Sequence, residues 1–451
     1  MRDFNIKVAT VLRGNYSCVF GHSASEADNS KAERLFLTPY IQNGTAEEAR
    51  NRSELDSTKF LDITSYSGFI TVNKEYNSNL FFWFFPASTN LTTTPWIIWL
   101  QGGPGYSSMK GLFDIIGPIK VEEGKVVPRN ITWASDYSLL FLDNPVGAGF
   151  SFTDDDRGYP TNEDDVGAQM LEFLQQFLKM FPELRSAPLF IAGQSYAGKY
   201  VPALGIQIHR HNENKTNEKI NLRGITIGNG LVDLRDMMHY SRICAALGLL
   251  DEPQLEHLEV LEEQVVSLID EKKLVDAANK FNESIEFIKK HSGVSIYKFT
   301  EESSSAAPEF EDYIKRDDVR ELIHVGNATF NLDNQLVYKK MLNDFANTSK
   351  KFVEQLLEHY GVMCYSGQLD VILPYSASKH MHRSLQWSRR EGFLQAQRKR
   401  LRRHLNGSVV GYKKAGGNLV EILVRGAGHS VPSDQPDVAK FIMDAFIQEY
   451  K

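Results

Sequence analysis

The segment Gly193-Gln194-Ser195-Tyr196-Ala197-Gly198 follows a short apolar run, Leu189-Phe-Ile-Ala, and precedes a stretch of helical spacing from Lys199 to His209. A serine set between small residues at a strand-to-helix turn is lifted above a sheet edge, and the helix N-terminus behind it favours developing negative charge. A hydroxyl at its free pKa is a poor nucleophile, so it needs a base, and the base needs a carboxylate to orient it. Downstream, Asp370 ends Tyr365-Ser-Gly-Gln-Leu-Asp370 and His429 lies in Gly426-Ala-Gly-His429-Ser-Val-Pro, each just beyond a strand-like run. Singly, Asp370 reads as a helix cap and His429 as a turn histidine. As an ordered set with Ser195 they read as nucleophile, acid and base. A third stretch, Trp99-Leu-Gln101-Gly102-Gly103-Pro104-Gly105, puts consecutive glycines after a buried run. Its backbone N–H groups, with that of Tyr196, could meet an oxyanion. A phosphate loop is excluded, because neither a Gly-Lys-Ser/Thr ending nor a GxGxxG spacing is present.

These residues need rigid elements to hold them. Gly68–Val72, Asn79–Phe85, Pro95–Leu100, Ser138–Leu142, Leu189–Ala192, Gly224–Gly228, Val362–Tyr365 and Leu419–Val424 read as strands, and residues 163–181 as an amphipathic helix. Strand–helix alternation implies an α/β architecture with a central, mostly parallel sheet. With the elbow at Ser195, this is the α/β-hydrolase fold carrying a largely helical insertion, or cap. The expected division is an N-terminal leader or arm at 1–55, a catalytic domain at 56–232 and 351–451, and a cap at 233–350. Within the cap, Ser303–Pro308 reads as a flexible, cleavable loop.

A 451-residue chain that is 42% hydrophobic can bury a large core. The net charge of −7 gives no reason to expect nucleic acid or an anionic membrane as the main partner. Arg389, Arg390, Arg398, Lys399, Arg400, Arg402, Arg403 and His404 form one basic stretch, read as a solvated helix face. Three cysteines, Cys18, Cys244 and Cys364, allow at most one bridge and no CxxC metal or redox site, and Cys364 reads as a buried thiol. No metal or other cofactor is expected. Asn15, Asn43, Asn51, Asn90, Asn130, Asn214, Asn282, Asn327, Asn347 and Asn406 each open an Asn-x-Ser/Thr triplet, which favours the secretory route. Ile6–Leu12 is a poor signal-peptide core, being short and interrupted by Lys7, and no apolar run is long enough to span a bilayer.

WLQGGPG, DNPVGAGFS (143–151), GQSYAGKYVP (193–202), IGNGLVD (227–233), YSGQLD (365–370) and GAGHSVPSDQP (426–436) together resemble the serine carboxypeptidase family, and within it the vitellogenic-like branch. The resemblance runs collinearly from about residue 60 to the end. It implies a triad of Ser195, Asp370 and His429, an oxyanion hole from Gly103 and Tyr196, and an exopeptidase acting on peptide or protein C-termini. It also implies a secreted or lysosomal glycoprotein without cofactor, often a homodimer. The family grips the terminal carboxylate with a tryptophan, an amide, a glycine N–H and a pair of acids. Trp99, Gln101 and Gly102 match the first three. The acids are replaced by Gln194 and Ile115; Asp114 is adjacent, but a neighbour on a helix or strand points elsewhere. Tyr106 stands where the family has cysteine. A protonated acid donates a hydrogen bond that ionisation turns into repulsion, whereas glutamine donates at any pH and isoleucine never does. Weakened terminal recognition with a pH optimum nearer neutral is the expectation. The competing expectations are an esterase, amidase or acyltransferase on the same scaffold, and a faintly active binding or chaperone-like protein.

Overall fold

Uninterrupted aromatic and β-branched runs form the strands that centre this molecule; Ser78–Phe85, SNLFFWFF, is buried at every position. The computed structural model describes residues 33–303, 306–404 and 407–451. The strands are β1 (Tyr66–Asn73), β2 (Ser78–Phe85), β3 (Trp96–Leu100), β4 (Ile119–Glu122), β5 (Lys125–Pro128), β6 (Ser138–Leu142), β7 (Leu189–Ser195), β8 (Leu222–Gly230), β9 (Gly361–Gly367), β10 (Lys399–Leu401), β11 (Gly411–Gly416) and β12 (Leu419–Val424). Among the described residues, ten strands make one sheet in the order β1-β2-β6-β3-β7-β8-β9-β12-β11-β10, and β4 and β5 form a separate hairpin. The six strands from β6 to β12 in that order run parallel, while β1, β2, β11 and β10 add antiparallel edges. This is the expected α/β-hydrolase architecture.

Alternation along β3 shows how the sheet is covered on both faces. Trp96, Ile98 and Leu100 enter one apolar cluster, and Ile97 and Trp99 enter the other. On the first face Phe82 and Phe84 meet Phe173, Phe177 and Phe181 edge-on, with ring centroids 4.9–5.6 Å apart. Truncating one such ring to alanine would cost about 3–5 kcal/mol. After β3 the chain moves outward to β6 and then returns to β7 on the other side of β3. The C-terminal ends of β3 and β7 therefore flank the point where strand order reverses, the place where ligands bind in open α/β sheets.

Two readings need correction. Residues up to 55 are expected as an irregular arm, yet Thr38–Gln42 (α1) and Ala46–Ser53 (α2) are helical, with Leu37, Ile41 and Ala49 buried. Their apolar residues are few, but Leu37 and Ile41 lie one turn apart and suffice to dock the segment. Residues 1–32, with Cys18 and Asn15, lie outside the described residues. The basic stretch is not one helix face. The principal helices are α3 (Glu163–Met180), α4 (Ala197–Glu213), α5 (Glu252–Asp270), α6 (Leu274–Ser292), α7 (Lys350–His359), α8 (Tyr375–Ser384), α9 (Arg390–Gln395) and α10 (Pro436–Tyr450). Arg390 lies in α9, Lys399 and Arg400 lie in edge strand β10, which pairs with β11, and the others lie in the connections around them. In the 233–350 segment, α5 starts on a reciprocal cap between Asp251 and Gln254, and α6 stops at Gly293 with φ 71°. Ser304, Ser305 and Asn406 lie outside the described residues. Cys244 and Cys364 are free and buried. Among the described residues no helix is long and apolar enough to cross a membrane.

Candidate active site

Ser195 is the last residue of β7 and has φ 64°, left-handed for a residue with a side chain. Such a conformation costs energy and persists only where the surroundings impose it. They do so through β8: the Ser195 carbonyl accepts the N–H of Leu231, and the β7–β8 register slips between Gln194 and Ser195. Helix α4 begins two residues later, so its N-terminus lies behind the serine.

The loop after β3 is pressed against this turn. A Cβ on Gly102 would lie 2.5 Å from the Tyr196 nitrogen, a distance only glycine can tolerate. Gly103 follows at φ 115°, and Gly103, Ser195 and Tyr196 share the lining of one cavity of about 220 Å³. Phe281 of α6, Tyr338 and Ile372 close its other walls, so the 233–350 segment contributes to the same space.

The acid and the imidazole come from the far side of β8. Asp370 follows β9, is 2% exposed, and takes the His429 Nδ1 hydrogen bond on Oδ2 at 2.9 Å. The same oxygen accepts from Asn229 Nδ2 at 2.6 Å, and Oδ1 accepts the N–H groups of Ile372 and Leu373 at 3.0 and 3.3 Å. A carboxylate with every lone-pair direction used in this way is fixed in place and oriented to hold an imidazole. His429 is held from behind, because its own N–H donates to the Tyr297 carbonyl at 2.7 Å and the Tyr297 ring lies 5.2 Å from the imidazole. No hydrogen bond joins the Ser195 hydroxyl to His429. The two loops meet through their neighbours, with Ser430 Oγ donating to Gln194 Oε1 at 3.4 Å. Catalytic hydrogen bonds of this kind commonly tighten only with substrate in place.

The other half of the site is neutral. Trp99 is fully buried and its Nε1 donates to Gln101 Oε1 at 3.3 Å. The Gln101 N–H donates to Ser108 Oγ at 3.0 Å. Gln194 is 2% exposed, and Ile115 is packed into the apolar cluster with Phe113. Asp114 turns away to Lys110 Nζ at 3.2 Å, as its position beside Ile115 implies. Burial raises the Asp114 carboxyl above its ordinary range, against the opposing pull of Lys110.

Sequence reasoning missed three groups. Asn229 carries φ 40° and bridges Asp370 to the Gly367 N–H, which donates to Asn229 Oδ1 at 3.2 Å. The Gly228-Asn229-Gly230 triplet at a strand end was its only trace. Asp143 is wholly buried beneath the glycine loop and accepts from Ser107 Oγ, Ser108 N–H and Phe150 N–H at 2.7–2.9 Å; burial still pushes its carboxyl up to about 6. Behind Tyr196 lies a buried polar cluster. Tyr196 Oη donates to Asp344 Oδ2 at 3.1 Å, and Lys199 Nζ donates to the carbonyls of Asp344 and Asn347 and pairs with Asp344 Oδ2 at 3.4 Å. Glu163 completes the cluster, and burial first, then the Asp344 charge, holds its carboxyl well above the usual range. In sequence Lys199 and Glu163 look like solvent-facing helix residues.

Comparison with known proteins fixes the family. The serine carboxypeptidase family profile matches residues 56–449. The chain is 41% identical to a venom serine carboxypeptidase of Apis mellifera, over 91% of this chain and 90% of that protein. It is 38% identical to a vitellogenic carboxypeptidase of Aedes aegypti, over 94% and 92%. A prohormone-processing carboxypeptidase, Kex1, from Saccharomyces cerevisiae shares the fold with a TM-score of 0.80 at 23% identity, over 89% of this chain and 96% of that one. With these matches spanning almost its whole length, the chain belongs to the serine carboxypeptidase family and is a hydrolase of the peptidase class.

Proposed function

We propose that the chain releases C-terminal residues from peptides through a Ser195–His429–Asp370 triad and an acyl-enzyme. Ser195 Oγ attacks the scissile carbonyl while His429 takes its proton, and the N–H groups of Gly103 and Tyr196 receive the oxyanion. His429 then gives that proton to the departing amine. Water attacks the ester in a second, mirrored step, with His429 again as base. The observation that carries this reading is the buried His429–Asp370 hydrogen bond, on a loop whose Ser430 reaches Gln194, the neighbour of a serine held at positive φ.

Terminal recognition is proposed to be altered. Trp99, Gln101, Gly102 and Gln194 would face the substrate carboxylate, with Ile115 donating nothing. Loss of one charge-assisted bond weakens binding by about 1.5–3 kcal/mol, on the order of tenfold to a hundredfold. The test compares free-acid, amide and ester forms of one blocked dipeptide, together with fluorophosphonate labelling of Ser195. Preference for the free acid supports a carboxypeptidase. Equal or better turnover of amide and ester identifies an esterase or amidase, and absence of labelling identifies a protein without hydrolytic function.

A secretory location rests on the sequons, seven of which (Asn43, Asn51, Asn90, Asn130, Asn214, Asn327 and Asn347) are exposed. Loss of mass on treatment with an N-glycosidase checks it.

A further inference from the structure

Residues 379–425 hold twelve Lys and Arg against two acids, in a chain whose net charge is −7. Glu421, one of the two, is buried, with its oxygens taken by His382 Nδ1 at 2.8 Å and Tyr375 Oη at 2.9 Å. Of the segment's own two acids, only Glu391 is left at the surface. Among the described residues, only Arg390, Arg403 and Lys413 of the twelve lie within 4.0 Å of a carboxylate.

The cations are gathered, not scattered. The Arg398 guanidinium lies over Tyr375 of α8 at 5.3 Å and over Tyr412 of β11 at 4.3 Å, tying the helix to the hairpin. Arg400 pairs with Tyr412 across β10–β11, and Lys414 lies two residues along from Tyr412, over Phe393 of α9. Side chains two apart on a strand share a face. Arg398, Arg400 and Lys414 therefore lie on the α8–α9 side, where Arg383 and Lys379 also emerge; Arg383 and Arg398 both act on the Tyr375 phenol. Lys399 faces the opposite side with Lys413, which reaches Glu449 of α10 at 3.7 Å. Lysines on an edge strand discourage strand-to-strand aggregation. That accounts for β10 but not for Lys379 and Arg383 on a helix.

We propose that this face, built from α8, β10 and β11, binds a sulfated polysaccharide. A row of cations spread over a helix and a hairpin, without convergence on one point, suits a linear polyanion. Sulfate esters stay ionised throughout the secretory pH range, and no large apolar side chain stands in the row to enter a lipid surface. The inference rests on charge placement and is independent of the catalytic reading.

The probe is heparin, applied to the whole protein at neutral pH with and without prior N-glycan removal, since the Asn406 sequon falls between β10 and β11 in sequence. A chain of net charge −7 has no general reason to be retained. Retention beyond about 150 mM salt is expected. Arg383→Ser/Arg400→Ser should weaken binding roughly tenfold to thirtyfold and lower the salt dependence, while hydrolysis of a blocked dipeptide is unchanged. Lys399→Ser, on the other face, should stay within about twofold of the wild type. Passage through the column at low salt, equal retention of the double variant, or tighter binding to phosphatidylserine vesicles would each overturn the proposal. So would a salt-sensitive dimer in sedimentation that the double variant abolishes, since the face would then serve a second copy of this chain.

Discussion

The two halves of the site solve opposite problems. On the β8–β9 side, Asp370 is surrounded by four donors, and every group is tied to a neighbour. On the β3 side, where a substrate terminus would lie, Trp99, Gln101, Gln194 and Ile115 offer one amide-to-indole bond, one weak hydroxyl contact and an apolar wall. On the proposed mechanism, the chemistry would be fixed by charge held in place. Recognition, as proposed, would be left to neutral groups, so affinity and turnover should respond differently to mutation and to pH.

The largest effect should come from the first half. Ser195→Ala is expected to lower kcat by roughly 10⁴- to 10⁶-fold, and Asp370→Asn by roughly 10⁴-fold, with KM little changed. Steady-state kinetics on a blocked dipeptide checks both, and a surviving rate within tenfold of the wild type would break the contrast at its root. Asn229→Ala should reduce kcat by roughly tenfold to a hundredfold, because it leaves Asp370 Oδ2 held by the His429 Nδ1 bond alone. The second half should show itself in pH. Wild-type kcat/KM for a free-acid dipeptide is expected to hold or rise between pH 5 and 7, as glutamine keeps donating. Gln194→Glu should reverse that slope by roughly tenfold, since ionisation places a negative charge against the substrate carboxylate.

The smallest effect concerns stability. Asp143 at about 6 and Glu163 well above its usual range both bind a proton more tightly in the folded chain than in the unfolded one. For a raised carboxyl the unfolded state loses its proton first as pH rises. Stability is therefore full below pH ~4 and falls toward pH 6 and beyond, by on the order of 3 kcal/mol for Asp143. Thermal unfolding should show a Tm that declines from pH 5 to 8, and Glu163→Gln should flatten the decline. An unchanged slope in that variant would remove Glu163 from the explanation.

Much of this was legible in the sequence because strands announce themselves locally. The apolar runs at 79–85, 95–100 and 189–192 fall where strands form, and the elbow and glycine loop follow from what comes after them. The short hairpin at 119–128 and the edge strand 399–401 were not legible. Their short sequences, IKVE, KVVP and KRL, mix charged and apolar residues without a sustained apolar run, and pairing alone makes them strands. The Lys199–Asp344 pair was hidden for a different reason. Its partners lie 145 residues apart, and nothing in either neighbourhood marks a buried charge. Long-range polar contacts depend on how the chain returns, which periodicity does not encode.

The seam between β8 and β9 has a consequence for how the protein could be divided. Residues 222–230 and 361–367 lie side by side in the sheet, yet some 130 residues of chain run between them. The serine belongs to the segment before that excursion, and the carboxylate and imidazole to the segment after it. A nick within the excursion would yield two polypeptides on a denaturing gel and one particle in native buffer, held together by backbone pairing in the middle of the sheet. If the proposed triad is the active site, neither fragment is expected to act alone, and the two expressed together are expected to reassemble a working pocket.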